Sequence, residues 1–104
     1  MIMKENFEQL REIVEKQHNC VAQFAGTATV KETFQDETVW EGIVYVFHIK
    51  GHSLATSCYA WSSPVEGSTK RRLYAVLNIP PINTPEEAVK ATIILDFKTG
   101  YTKG

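Results

Sequence analysis

His48 and His52 stand four residues apart on either side of Gly51, Cys58 follows, and His18 with Cys20 forms a second group further upstream. Imidazole nitrogen and thiolate sulfur are the ligand types zinc takes. A closed zinc site, however, draws on pairs such as CxxC or a helical HxxxH, and neither accompanies these residues. They read instead as surface histidines at a turn and small apolar thiols, so no metal and no other cofactor is expected. The same side chains offer an enzyme, with Cys58 as nucleophile and His48 or His52 as its base. That chemistry needs a thiol of lowered pKa at an electropositive, partly open position. Cys58 falls within a strand pattern beside Tyr59, where a thiol acts as apolar filler, so no catalytic residue is assigned.

Lys70-Arg71-Arg72, followed by Tyr74, is the one basic cluster and raises the question of RNA. A helix, several strands and a closing helix is also the element order of the double-stranded-RNA-binding domain. That domain meets phosphates with lysines at the start of its last helix, whereas Pro85-Glu86-Glu87 sets two carboxylates there. With 11 Lys and Arg against 12 Asp and Glu, a net charge of -1 and a pI near 6.3, there is no global field to hold a polyanion. Nucleic acid is therefore not an expected partner, and the cluster reads as a charged strand end that discourages edge pairing. Trp40, Tyr45, Phe47 and Trp61 could line a ligand cavity in a curved sheet, as in cystatin-like folds. The same aromatics make an ordinary core, and no Asp/Glu/His trio identifies a reaction.

These residues are positioned by the stretch Thr38 to Trp61, TVWEGIVYVFHIKGHSLATSCYAW. Val39 to Ile49 is dense in β-branched and aromatic residues, which suit a pleated surface and are poor helix formers. Gly51 interrupts it and Leu54 to Trp61 resumes, so the two runs form an antiparallel hairpin. A turn centred on Gly51-His52 sets Ile49 opposite Leu54, Tyr45 opposite Cys58, Val44 opposite Tyr59 and Gly42 opposite Trp61, whose ring would then cover the bare glycine.

Upstream, Phe7, Leu10, Ile13 and Val14 recur at helical spacing within Lys4 to His18, charged residues take the other face, and Asn19 is a fitting stop. Cys20 to Gly26 is open between helix and strand. Thr27 to Phe34 alternates as a strand, and Gln35-Asp36-Glu37 turns into the hairpin. Downstream, Ser62 to Thr69 has loop composition, Lys70 to Ile79 alternates as a fourth strand, and Pro80-Pro81 ends it. Thr84-Pro85-Glu86-Glu87 is a capping box: Thr84 caps, Pro85 fits the first helical position and Glu87 returns a bond to the cap. Ala88, Val89, Thr92, Ile93 and Phe97 form that helix's apolar face, Ile94 and Leu95 widen it, Lys98 with Gly100 closes it, and Tyr101 to Gly104 frays.

The expected fold is therefore a single two-layer α+β domain over residues 1–104: an N-terminal helix, a four-stranded antiparallel meander and a C-terminal helix. The chain is long enough for one core without staples. Two cysteines make no disulfide framework, and MIMKENFEQL carries acids where a signal peptide needs an apolar core, so a cytoplasmic location is expected. No apolar run approaches the roughly 20 residues that span a bilayer. VWEGIVYVF, GH, CYAWS, RRLYAVL, IPPI and TPEEAVKA together resemble a group of short uncharacterised bacterial proteins, over about Thr38 to Ala91. The resemblance implies a small, stand-alone bacterial protein and assigns no functional residue.

Two functions from different classes follow. The first is a self-associating or protein-binding module. A four-stranded sheet is roughly 19 Å wide, two helices side by side cover about one face of it, and both faces are apolar. An uncovered face carrying residues from the set Trp40, Tyr45, Phe47, Tyr59 and Trp61 would seat another protein, most simply a second copy in a homodimer. Helices split one to each face would hide both patches within the monomer. The second function is a small enzyme or ligand carrier using the His48, His52 and Cys58 neighbourhood.

Overall fold

A computed structural model describes residues 2–64, 67, 69 and 71–99 of the chain. The element order is α1 (Ile2–His18), β1 (Val21–Phe34), β2 (Glu37–Lys50), β3 (Ser57–Pro64), β4 (Arg71–Leu77) and α2 (Pro85–Thr99), and the strands make one antiparallel sheet in the order β1-β2-β3-β4. The α+β class, the meander and the flanking helices agree with the sequence. Lys70, the loop residues Val65, Glu66 and Ser68, and Gly100 to Gly104 with its expected fraying lie outside the described residues, as do the side chains of Leu95, Phe97 and Lys98.

Helix α1 buries Leu10 and Val14 against Phe47, Ile49, Cys58, Ala60 and Ala75, with Phe7, Tyr45, Leu73 and Leu77 around them. It ends where Asn19 turns left-handed (φ 52°), and the Cys20 amide returns to the Glu15 carbonyl at 3.3 Å, the six-to-one bond of a Schellman stop. Glu15 also accepts the Ala22 amide on its carboxylate at 2.9 Å, which ties the helix end to the first strand. Helix α2 lies on the other side of the sheet, where Ala88 and Val89 pack with Val30, Val44, Tyr59 and Trp61. The helices therefore split, one to each face, rather than sitting side by side on one, so the domain has three layers and not the expected two.

The ambiguous stretch after Asn19 is strand. β1 begins at Val21, well before the expected Thr27, and runs through Gly26 by way of a bulge at Ala25. The bulge switches faces. Ala22 and Phe24, opposite Ile49 and Phe47, belong to the α1 side, whereas Ala28 and Val30 belong to the α2 side. Gly26 occupies φ 157°, a conformation open to glycine, and nothing lies within 4 Å of where its Cβ would be. Gln35 and Asp36 both take positive φ, which gives the two-residue hairpin turn whose twist matches its strands.

The central hairpin is displaced from the expected register by two residues. Tyr45 faces Ala60, Val46 faces Tyr59, Phe47 faces Cys58 and His48 faces Ser57. Side chains rather than a tight turn shape the connection. His52 Nδ1 accepts the amides of Leu54 (3.0 Å) and Ala55 (3.1 Å), and Asn78 Oδ1 accepts those of Thr56 and Ser57, each at 3.1 Å. A two-residue slip preserves the side-chain period, so Tyr45, Phe47, Cys58 and Ala60 stay on one face and Val44, Val46, Tyr59 and Trp61 on the other, whereas Leu54, expected to open the returning strand, lies in the loop before β3 and is exposed. Gly42 lies opposite Val30 on β1 and has no partner on β3, since the β2–β3 pairing ends at Tyr45 and Ala60, so Trp61 does not face it. An aromatic ring does cover it, but from two residues upstream: a Cβ there would sit 2.9 Å from the Trp40 ring.

Beyond Tyr45 and Ala60 the β2–β3 ladder stops, while β1–β2 continues to Phe34 and Glu37 and β3–β4 continues to Pro64 and Arg71. The sheet thus divides into two ribbons. Trp40 links them, donating its Nε1–H to Ser63 Oγ at 2.7 Å and meeting Trp61 edge-on at 6.1 Å.

Candidate functional site

Cys58 is wholly buried between Phe47 and Leu77 on the α1 side of the sheet. Burial, and secondarily the neighbouring Cys20, pushes its thiol up to about 12, the reverse of what a nucleophile requires. His48 is exposed and alternates to the opposite face. His52 is fixed in its loop by the two amides it accepts, so its Nδ1 lone pair is already committed. The enzyme reading therefore has its thiol inside and its first base on the wrong side.

The second group fares differently. His18 packs edge-on to His52 with ring centres 6.4 Å apart, so the loop and the end of α1 do bring two imidazoles together. His18 Nε2–H donates to the Ala75 carbonyl of β4 at 3.0 Å. Cys20 is half-buried, its Sγ 3.7 Å from the Val14 carbonyl and its thiol pushed up by burial and by Glu15. Both thiols are free, and among the described residues no three His, Cys, Asp or Glu side chains converge as a metal set. The arrangement is a structural joint: imidazoles hold a loop and a strand carbonyl.

In the basic cluster, Arg71 turns back onto β3, donating from Nε to Ser62 Oγ at 2.9 Å and from Nη2 to the Ser62 carbonyl at 3.1 Å. Tyr74, the aromatic that would have stacked on a base, stacks on Trp61 at 5.2 Å with the rings 18° from parallel. Glu86 and Glu87 open α2.

The aromatic set divides. Tyr45 and Phe47 lie under α1 with Phe7 and Phe24, whereas Trp40, Tyr59 and Trp61 lie on the α2 side, so no single cavity takes walls from both groups. Phe47, Tyr59 and Trp61 are all buried within the chain. Tyr59 also donates its hydroxyl to the Asn83 carbonyl at 3.1 Å, which fastens the α2 approach over the sheet, and burial with nearby Glu87 raises its pKa. The expected open aromatic face is thus closed by the chain's own helices, for the reason already weighed: one helix goes to each side.

What remains open is an edge. β1 pairs with β2 alone, and between Gly26 and Phe34 no side chain among the described residues bonds its backbone. The other edge strand, β4, has its Ala75 carbonyl taken by His18. Near the β1 edge Phe34 is 61% exposed and Ile43 43% exposed. The sequence places this strand first in the meander, hence at an edge, and the interface expected from it lies on a sheet face instead. A terminal Phe34 beside a polar turn is the signal the sequence offers there. Comparison with protein-family models, with curated proteins and with solved structures finds no match for this chain.

Proposed function

We propose that this protein is a self-associating module, a homodimer in its simplest form, and that the contact surface is the outer edge of β1 rather than a sheet face. The observation that carries this is the edge from Gly26 to Phe34, to which no described residue pairs on its outer side, in a sheet whose two aromatic cores are each covered by one of the chain's own helices. An unpaired strand presents a row of N–H and C=O groups that pair readily with another strand, and added main-chain bonds extend the sheet. The exposed Phe34 supplies apolar area beside them. A bacterial source, implied by the resemblance above, and a cytoplasmic location belong to the same reading. Neither nucleic acid nor a bilayer is a partner in it: Arg71 is committed to Ser62, and no helix among the described residues is long and apolar enough to cross a membrane. Light scattering from tens to hundreds of micromolar tests the reading. The expected result is twice the 11.8 kDa chain mass; a single-chain mass throughout that range overturns it.

A further inference from the structure

Building on self-association through β1, we infer that two copies join by antiparallel β1–β1 pairing in one register, centred on Val30 facing Val30 of the second copy. Symmetry narrows the choices. A two-fold axis normal to the sheet keeps the two copies' faces aligned, so directly opposed residues must share a face, and their two numbers must then sum to an even value. The bulge at Ala25 ends the usable edge on one side and the Gln35-Asp36 turn ends it on the other, leaving residues 26–34; the second register shift, at Glu32 and Thr33, puts its extra residue, Val39, on β2 and leaves the alternation of β1 unbroken.

Among the even registers, the one centred on Val30 alone pairs the whole of that segment. Moving the centre to Lys31 sets Lys31 against itself, and moving it to Glu32 sets Glu32 against itself; like charges directly opposite destabilise a ladder. Moving it to Thr29 leaves Thr33 and Phe34 without opposites. Centred on Val30, Lys31 faces Thr29, Glu32 faces Ala28 and Thr27 faces Thr33. Phe34 then faces Gly26, twice by symmetry. This last pair joins the most exposed ring near the edge to a backbone position with nothing within 4 Å of its missing Cβ, so each copy supplies what the other lacks. The self-complementarity identifies the occupant as a second copy of this chain rather than an unrelated strand.

The test uses Thr29 and Lys31, both exposed, on the full-length chain, with circular dichroism confirming the fold of each variant. By sedimentation equilibrium Thr29→Glu creates two Glu–Lys cross-strand pairs and should tighten the dimer roughly two- to thirty-fold. Thr29→Lys should loosen it comparably, and Thr29→Lys with Lys31→Thr, which again sets one lysine against one threonine, should restore it. Phe34→Ala should weaken it about ten-fold or more, from loss of two ring burials. A dimer that Thr29→Glu loosens or leaves unchanged overturns the register while self-association stands. A wild-type chain that stays single at every concentration removes the underlying reading instead.

Discussion

Cys58 shows how position overrides residue type. Its side chain has no exposed surface and its thiol is pushed up to about 12 from an ordinary value near 9. Between these values the unfolded chain sheds a proton that the folded chain keeps, so the unfolded state binds fewer protons and stability falls as pH rises from about 9 toward 12. Each unit in that window removes about 1.4 kcal/mol. Urea midpoints measured from pH 8 to 11 should fall more steeply for the wild type than for Cys58→Ala, and iodoacetamide should leave Cys58 unmodified at neutral pH while the chain is folded. Equal slopes, or labelling as fast as free cysteine, would show the thiol to be open and reactive. The residue types alone allowed a nucleophile; the strand neighbours Phe47 and Leu77, which decide against it, lie eleven and nineteen residues away in the chain.

Among the elements, α2 was the most legible because its start is encoded locally. The Thr84 hydroxyl accepts the Glu87 amide at 3.1 Å, and the Thr84 carbonyl accepts that of Ala88 at the same distance. Only the reciprocal bond differs from the expectation: the Glu87 carboxylate takes the Asn83 amide at 2.7 Å, one residue before the cap. Thr84→Ala should therefore cost about 1 kcal/mol in chemical denaturation, with Thr84→Ser nearly neutral; no change for alanine would mean that tertiary packing, not the cap, holds the helix start. β1 was less legible, and its bulge explains why. Period-two reasoning cannot be carried through an extra residue, since Ala22 and Val30 share parity in the sequence yet face opposite helices. The β2–β3 loop was misjudged for a similar reason. Its length is set by His52 and by Asn78, and Asn78 arrives from beyond β4. A slip of two keeps the alternation of the paired residues, so Tyr45, Phe47, Ile49, Cys58 and Ala60 form one core and Trp40, Val44, Val46, Tyr59 and Trp61 the other, while Ile43 and Leu54 are exposed.

At the scale of the whole molecule, the placement of the helices decides which surface is left for a partner. Both apolar faces were readable, but the side each helix takes depends on how the chain leaves β4 and approaches α2, where Tyr59 anchors Asn83 on the side away from α1. The covered face and the open edge should respond to charge in opposite ways. Val89 is buried on the inner side of α2 against Val30, Val44 and Trp61, so Val89→Asp places an unpaired carboxylate in the core and should lower stability by about 3 kcal/mol or more. Thr29→Lys, on the exposed side of β1, should leave the denaturation midpoint of the isolated chain within about 0.5 kcal/mol of the wild type while shifting the mass toward a single copy. Urea titration at low concentration and light scattering at high concentration, run on both variants, separate the two effects. If Val89→Asp instead dissociated a dimer and left the fold as stable as before, the α2 face would be the contact surface and the edge would not.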